Sequence, residues 1–192
     1  MTMRPRERLI MGAIDLIRRH GVAGTGMTEL LAHSNTARRS VYQNFPRGKQ
    51  QLIEEATRTA GEVMAAAITA TEGSGTSAAR LAAFVQMWKD TLVATDFTAG
   101  CPVVAAALSG SEVPAAPAIA AEVFTRWETL IAEQLTAEGF DAPMAASLAT
   151  TAVAAIEGAV VMCIAARSIT PLERVADQLD QLLQYRQSER GA

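Results

Sequence analysis

"TARRSVYQNFPRGK", Thr36 to Lys49, packs four cations, one tyrosine and a proline into fourteen residues with no acid among them. The whole chain of 192 residues nevertheless has a net charge of −3. Positive charge is therefore gathered rather than spread. Through Ala60, ten cations (Arg4, Arg6, Arg8, Arg18, Arg19, Arg38, Arg39, Arg47, Lys49, Arg58) face five acids (Glu7, Asp15, Glu29, Glu54, Glu55), a net of +5 that leaves −8 for the remainder. A basic head on an acidic body suits a polyanionic partner for the head alone. A solvated basic face is the competing account that a bare count does not exclude, so the pattern around the charges has to decide.

Working outward, Ile10, Ala13, Ile14 and Ile17 fall at i, i+3, i+4 and i+7, one face of an amphipathic helix over residues 6–20. Gly21 is expected to end it, and "GVAGTG" reads as a loop. "GMTELLAH" follows as a second helix with Thr25 or Gly26 as N-cap. Asn35 can take the left-handed conformation at the turn, and Thr36 can cap a third helix, Ala37 to Asn44, that Pro46 stops. In that third helix Ala37, Val41 and Phe45 are spaced by four and point inward. Arg38, Arg39, Tyr42 and Gln43 then point outward. Two short helices joined by a tight turn, the second bearing cations, fit a helix-turn-helix. Arginine matches guanine O6 and N7, glutamine an adenine edge, and Ser, Tyr, Asn and Lys donate to phosphate oxygens. A large aromatic such as Tyr42 gains little from a merely solvated face.

A long helix is expected from Lys49 to about Thr71, then a break at "EGSGTS" (Glu72 to Ser77). Further helices are expected at 78–95, 103–108, 118–138, 143–167 and 171–190, punctuated by Gly100, Gly110, Pro114, Pro117, Gly139 and Pro171. No segment alternates as a strand. The sequence thus predicts an all-α protein with a three-helix head in residues 1–50, a connecting helix over 49–71, and a larger helical body in residues 51–192.

Several function classes are poorly supported. The two histidines, His20 and His33, have no Ser, Cys or carboxylate constellation at a recognisable spacing, and "GSG" at Gly73–Gly75 follows no strand, so no catalytic residue is expected. Cys101 and Cys163 form neither a CxxC nor a Cys/His pattern, so no metal site or cofactor is expected, and two lone thiols fit a reducing, cytoplasmic setting. The N-terminal residues do not read as a signal peptide. Met144 to Ala166 is long and apolar enough to cross a bilayer. Glu157 near its centre, which costs about 2.5–3.5 kcal/mol in a membrane, favours a helix buried among other protein helices instead. No membrane partner is expected, although a basic head meeting a membrane surface remains a distinguishable alternative.

The run from Arg6 to Ala56 resembles the DNA-binding head of the TetR family of transcriptional regulators. The resemblance rests on "RERL…A…L…HG" in the first helix, "T-x-M-x-x-L" in the second, and "S-V-Y-x-x-F-P" leading into "K-x-x-L". It covers about the first third of the chain. The "FPRGK" turn, one residue longer than the family's common form, and "GCPVVAAAL" from Gly100 are similar to the LmrA/YxaF-like branch. By position the resemblance implies that Arg38, Arg39 and Gln43 face bases. It implies phosphate contacts for Ser40, Tyr42, Asn44 and Lys49, with Thr25 and Thr28 near the backbone. Asn35, Ala37 and Arg39 depart from the usual pattern. Arg39 stands where a small residue is common, which points to an altered operator.

A short recognition helix reads few base pairs, so dimerisation on a palindromic site is expected. The helix over 143–167 carries small residues, and the resemblance implies an interface built from the last two helices of two copies, here Ala154, Gly158, Val161, Ala165, Leu172, Leu179 and Leu183. It also implies a ligand-responsive repressor released by a hydrophobic small molecule. By that resemblance Phe84, Met87, Trp88, Phe97, Phe124, Trp127 and Met162 line a pocket, with Cys101 and Val103 near its mouth. Ordinary core packing is the competing account of each. The alternative function is a small-molecule-binding protein of the same architecture without operator binding.

Overall fold

The computed structural model describes residues 3–70 and 75–188. Among the described residues there are nine α-helices and no strand: α1 (Pro5–Gly24), α2 (Met27–Ser34), α3 (Arg38–Asn44), α4 (Lys49–Thr69), α5 (Ser77–Ala94), α6 (Pro102–Ala107), α7 (Ala116–Ala137), α8 (Ala142–Ala166) and α9 (Thr170–Ser188). The expected break from Glu72 lies, as far as Ser74, outside the described residues, as do the expected ends of the connecting and last helices.

Local chemistry explains the boundaries. Pro5 sits in the first turn of α1, where its missing N–H costs nothing, and the Arg4 amide donates to Glu7 Oε2 at 3.0 Å. Gly21 breaks the helix at φ 70°, as its lack of a Cβ permits, but Val22 to Gly24 add one further turn where a plain loop was expected. Asn35 closes α2 in the left-handed region at φ 47°. Asp141 caps α8 by accepting from the Met144 amide at 2.9 Å. Thr36 does not cap α3. Ala37 holds the N-cap position, and the Thr36 hydroxyl pairs with the Ser34 hydroxyl at 2.7 Å instead.

The chain forms two compact units. The first comprises residues up to Val63 together with Cys101–Val123. Its core joins Leu9, Ala13 and Ile17 of α1 to Leu30, Val41, Phe45, Leu52, Ile53 and Ala56, all at most 1% exposed. Fully burying one such large aliphatic side chain contributes about 1.5–3 kcal/mol. The Arg6 guanidinium stacks 5.5 Å from the centre of the Phe45 ring and pairs with Glu55. α6 packs on α1, and a Cβ on Gly61 of α4 would stand 2.6 Å from Val123 of α7. These contacts join the 101–123 segment to α1 and α4, so the units divide at other places than residue 50.

The second unit comprises Met64–Gly100 and the chain from Phe124 onward. α8 packs on α9, and α5 on both. Lys89 of α5 pairs with Glu173 of α9 at 2.8 Å, and Arg167 with Asp96 at 2.7 Å. Val85, Trp88, Leu92, Trp127, Leu148, Ile156, Cys163 and Leu172 are buried. α8 is long and apolar enough to cross a membrane by length and composition, with 33% of its most apolar stretch buried inside this chain. The expectation of a helix enclosed by its neighbours is therefore met on one face only. Ala154, Gly158, Val161, Met162 and Ala165 on the other face are exposed.

Candidate nucleic-acid interface and body cavity

The packing of α3 sorts its side chains by face. Val41 and Phe45 are fully buried, and they anchor the helix to the first unit's core. Ala37, expected to join them, is exposed because it lies outside the helix at the N-cap. Arg38, Arg39, Tyr42 and Gln43 project outward as expected, with Tyr42 53% exposed. Among the described residues neither the Arg38 nor the Arg39 side chain forms an ion pair or a hydrogen bond. They begin a helix with no acid in its first turn. Cations at that positive end oppose the helix dipole by about 0.3–1 kcal/mol each. The arrangement costs the fold something and returns no internal contact.

The other cations of the stretch are employed within the protein. Arg47 forms a two-pronged pair with Glu54, Nη1 to Oε1 at 3.0 Å and Nη2 to Oε2 at 2.7 Å. That hydrogen bonding pushes the Arg47 guanidinium's pKa up. The Glu54 side chain is only 7% exposed, so Arg47 serves to neutralise a buried carboxylate. Lys49 Nζ lies 3.5 Å from the Val22 carbonyl and is half-buried, leaving donors for an outside partner. Asn44 donates one amide hydrogen to the Ser40 carbonyl at 2.8 Å, and both residues are half-buried at the edge of the exposed face.

Thr28 is exposed on α2. Thr25 is a correction to the expected set. It is 0% exposed, and its hydroxyl donates to the Gly21 carbonyl at 2.7 Å. At the end of α1, where backbone carbonyls run short of helical donors, Thr25 folds inward and caps the Gly21 carbonyl. Gly48, which the sequence marks as a turn, has a further role that its spacing alone does not show. It is buried at φ 67°, directly beneath the Tyr42 ring. Its signal was the extra residue in the "FPRGK" turn.

Two side-chain contacts between α1 and α2 involve histidine. His33 Nε2 lies 3.2 Å from Asp15 Oδ2 and His20 Nε2 lies 3.6 Å from Glu29 Oε1, so both histidines stand between α1 and α2 on the head.

The second unit contains a cavity of about 90 Å³. α5 supplies Ser77, Arg80, Leu81 and Phe84; α7 supplies Ile131, Gln134 and Leu135. Leu148, Ala152 and Ile156 of α8, Leu179, Leu182 and Leu183 of α9, and Ile68 of α4 complete the wall. Of the side chains expected to line a pocket, Phe84 does so. Met87, Trp88, Phe97, Phe124, Trp127 and Met162 are not in this wall. Trp88 and Trp127 are core residues at 3% exposure, Phe124 stacks edge-on to Trp127 at 5.4 Å, and Met162 is 59% exposed. Cys101 and Val103 are buried in the first unit beside α1, where α6 packs.

The expected interface residues also divide. Ala154, Gly158, Val161 and Ala165 form an exposed stripe on α8. Leu172 and Leu179 are buried within the unit, and Leu183 lines the cavity, because the apolar stripe of α9 turns toward α5 and α8. Among the described residues no group of His, Cys, Asp or Glu could hold a metal ion.

Residues 9–56 match the bacterial regulatory proteins of the TetR family. Residues 77–178 match the C-terminal domain of LmrA/YxaF-like transcriptional regulators. An uncharacterized HTH-type transcriptional regulator of Mycobacterium tuberculosis is 38% identical over 193 residues, covering 97% of this chain and 98% of the relative. LmrA of Bacillus subtilis, an HTH-type transcriptional regulator, is 28% identical over 181 residues, covering 93% and 96%. The fold matches the crystal structure of a TetR transcriptional regulator from Legionella pneumophila with a TM-score of 0.84 at 20% identity, covering 94% of this chain and 98% of that one. A regulatory protein TetR from Rhodobacter sphaeroides gives 0.81 at 20% identity, covering 91% and 96%. With the outward face of α3 and these matches along nearly its whole length, the chain belongs to the TetR family: it is a helix-turn-helix DNA-binding transcriptional regulator, not an enzyme, with a C-terminal domain of the LmrA/YxaF-like kind.

Proposed function

We propose that the protein is a ligand-responsive repressor that binds a palindromic operator as a homodimer and is released by a mostly apolar small molecule. The observation that carries the DNA half is the set Arg38, Arg39, Tyr42 and Gln43, exposed opposite the buried Val41 and Phe45. Arg38, Arg39 and Gln43 are the base readers. Thr28, Ser40, Tyr42, Asn44 and Lys49 hold phosphates. A helix of 7 residues reaches few base pairs, and each good bidentate pair discriminates by about 1–3 kcal/mol, so two copies are needed.

The exposed stripe Ala154, Gly158, Val161 and Ala165 supports α8 as the dimer face, since small residues permit close helix approach. The same helix lines the cavity with Leu148, Ala152 and Ile156. A ligand there bears on the helix that sets the spacing of the two heads. Ligand binds better to a dimer whose heads miss successive major grooves, and operator affinity falls by population shift. Action on chromosomal DNA places the protein in the cytoplasm.

Selecting bound sequences from random duplexes tests the reading. The expected outcome is one palindrome, bound with a steep salt dependence and strongly preferred over random DNA. Weak binding to all duplexes alike would favour a small-molecule-binding protein without an operator, and binding to anionic vesicles without a duplex preference would favour a membrane-surface role.

A further inference from the structure

We propose that the body cavity takes a neutral, mainly apolar molecule with one hydrogen-bond acceptor, and that the Arg80–Glu138 pair selects against acids. This deepens the ligand-binding reading of the body and rests on it. The cavity is walled mainly by aliphatic side chains and Phe84, with its polarity confined to Ser77, Arg80 and Gln134. At about 90 Å³ it is well above the space a single water needs, and so has room for a small organic molecule.

The polar end is specific in what it offers. Arg80, with a side chain 11% exposed, pairs through Nη2 with Glu138 and donates through Nη1 to the Gly75 carbonyl at 2.8 Å. Among the described residues these two bonds use two of its five N–H donors. Gln134 Nε2 donates to the Ile68 carbonyl at 3.0 Å. The guanidinium therefore has hydrogen bonds to give but no charge left to match, because Glu138, itself 21% exposed, already balances it. A ligand carbonyl gains a charge-assisted bond there. A ligand carboxylate approaching Arg80 would also approach the Glu138 carboxylate paired with it, and like charges at short range oppose it. A pure hydrocarbon fills the space but offers no acceptor to the remaining N–H donors of Arg80.

Calorimetric titration of the full-length protein with 4-phenylbutan-2-one, butylbenzene and 4-phenylbutanoate tests this. The expected order is ketone tightest, with the hydrocarbon and the acid each weaker by about ten-fold or more. Glu138→Gln should invert the ranking of ketone and acid, because Arg80 is then unbalanced. Ala152→Leu, which fills the cavity, should weaken all three. Equal binding of ketone and hydrocarbon by the unaltered protein, acid binding as tight as ketone, or no ketone binding would overturn the proposal, whether or not the variants fold. The titration contains no DNA. Ketone binding in this order with unchanged operator affinity would uphold the cavity chemistry and reject ligand-responsive control. Release of operator by some other compound, without ketone binding, would do the reverse.

Discussion

The ring of Tyr42 rests on Gly48: a Cβ placed on that glycine would stand 3.3 Å from Tyr42 Cε1. The glycine also sits at φ 67°, where a side chain is strained. One residue thus turns the chain from α3 into α4 and seats the aromatic that faces outward. Gly48→Ala should lower stability by about 1–2 kcal/mol and tilt the tyrosine. Chemical denaturation reads the first effect. Operator affinity, measured where the variant is fully folded, should fall as well. An affinity unchanged under those conditions would show that the seat is structural only.

Arg39→Ala and Tyr42→Ala remove exposed groups with no internal partner to lose, Gly48 contact aside. Each should weaken operator binding about ten- to hundred-fold, with helicity and dimerisation intact. Tyr42→Ala should act alike on all duplexes. Arg39→Ala should relax preference at one base pair, which a panel of single-substituted operators would reveal.

Thr25→Val separates the two accounts of that residue. If the hydroxyl served a phosphate, the salt slope of operator binding would shrink by about one contact. With the hydroxyl buried on the Gly21 carbonyl, the expected result is a loss of about 1 kcal/mol of stability and an unchanged slope.

Gly158→Leu and Leu172→Ala probe opposite sides of the body. A Cβ on Gly158 meets nothing within 4 Å, so the leucine should leave the isolated fold intact yet dissociate a closely packed dimer. Sedimentation across a concentration series reads that directly. Leu172 is 0% exposed within one chain, and its truncation should cost about 2–5 kcal/mol of fold stability.

Much of this molecule was written into short-range sequence. The spacing of Ile10, Ala13, Ile14 and Ile17, the stop at Pro46, the left-handed Asn35 and the four-residue rhythm of Val41 and Phe45 are effects of neighbours within one or two turns. They specified an all-α chain, its helix order and the outward face of α3, because helix periodicity and turn chemistry act locally. Tertiary structure decided what local rules cannot: that Thr25 turns inward, that Leu172 and Leu179 belong to the unit's own core, and that the cavity opens among Arg80, Gln134 and Leu183 rather than beside Trp88, Trp127 or Cys101. An apolar stripe looks the same in sequence whether it meets its own chain or a second copy. A cavity is a mismatch of side-chain volumes between helices, and here Arg80 and Glu138, 58 residues apart, meet only because α5 and the end of α7 are packed into one body.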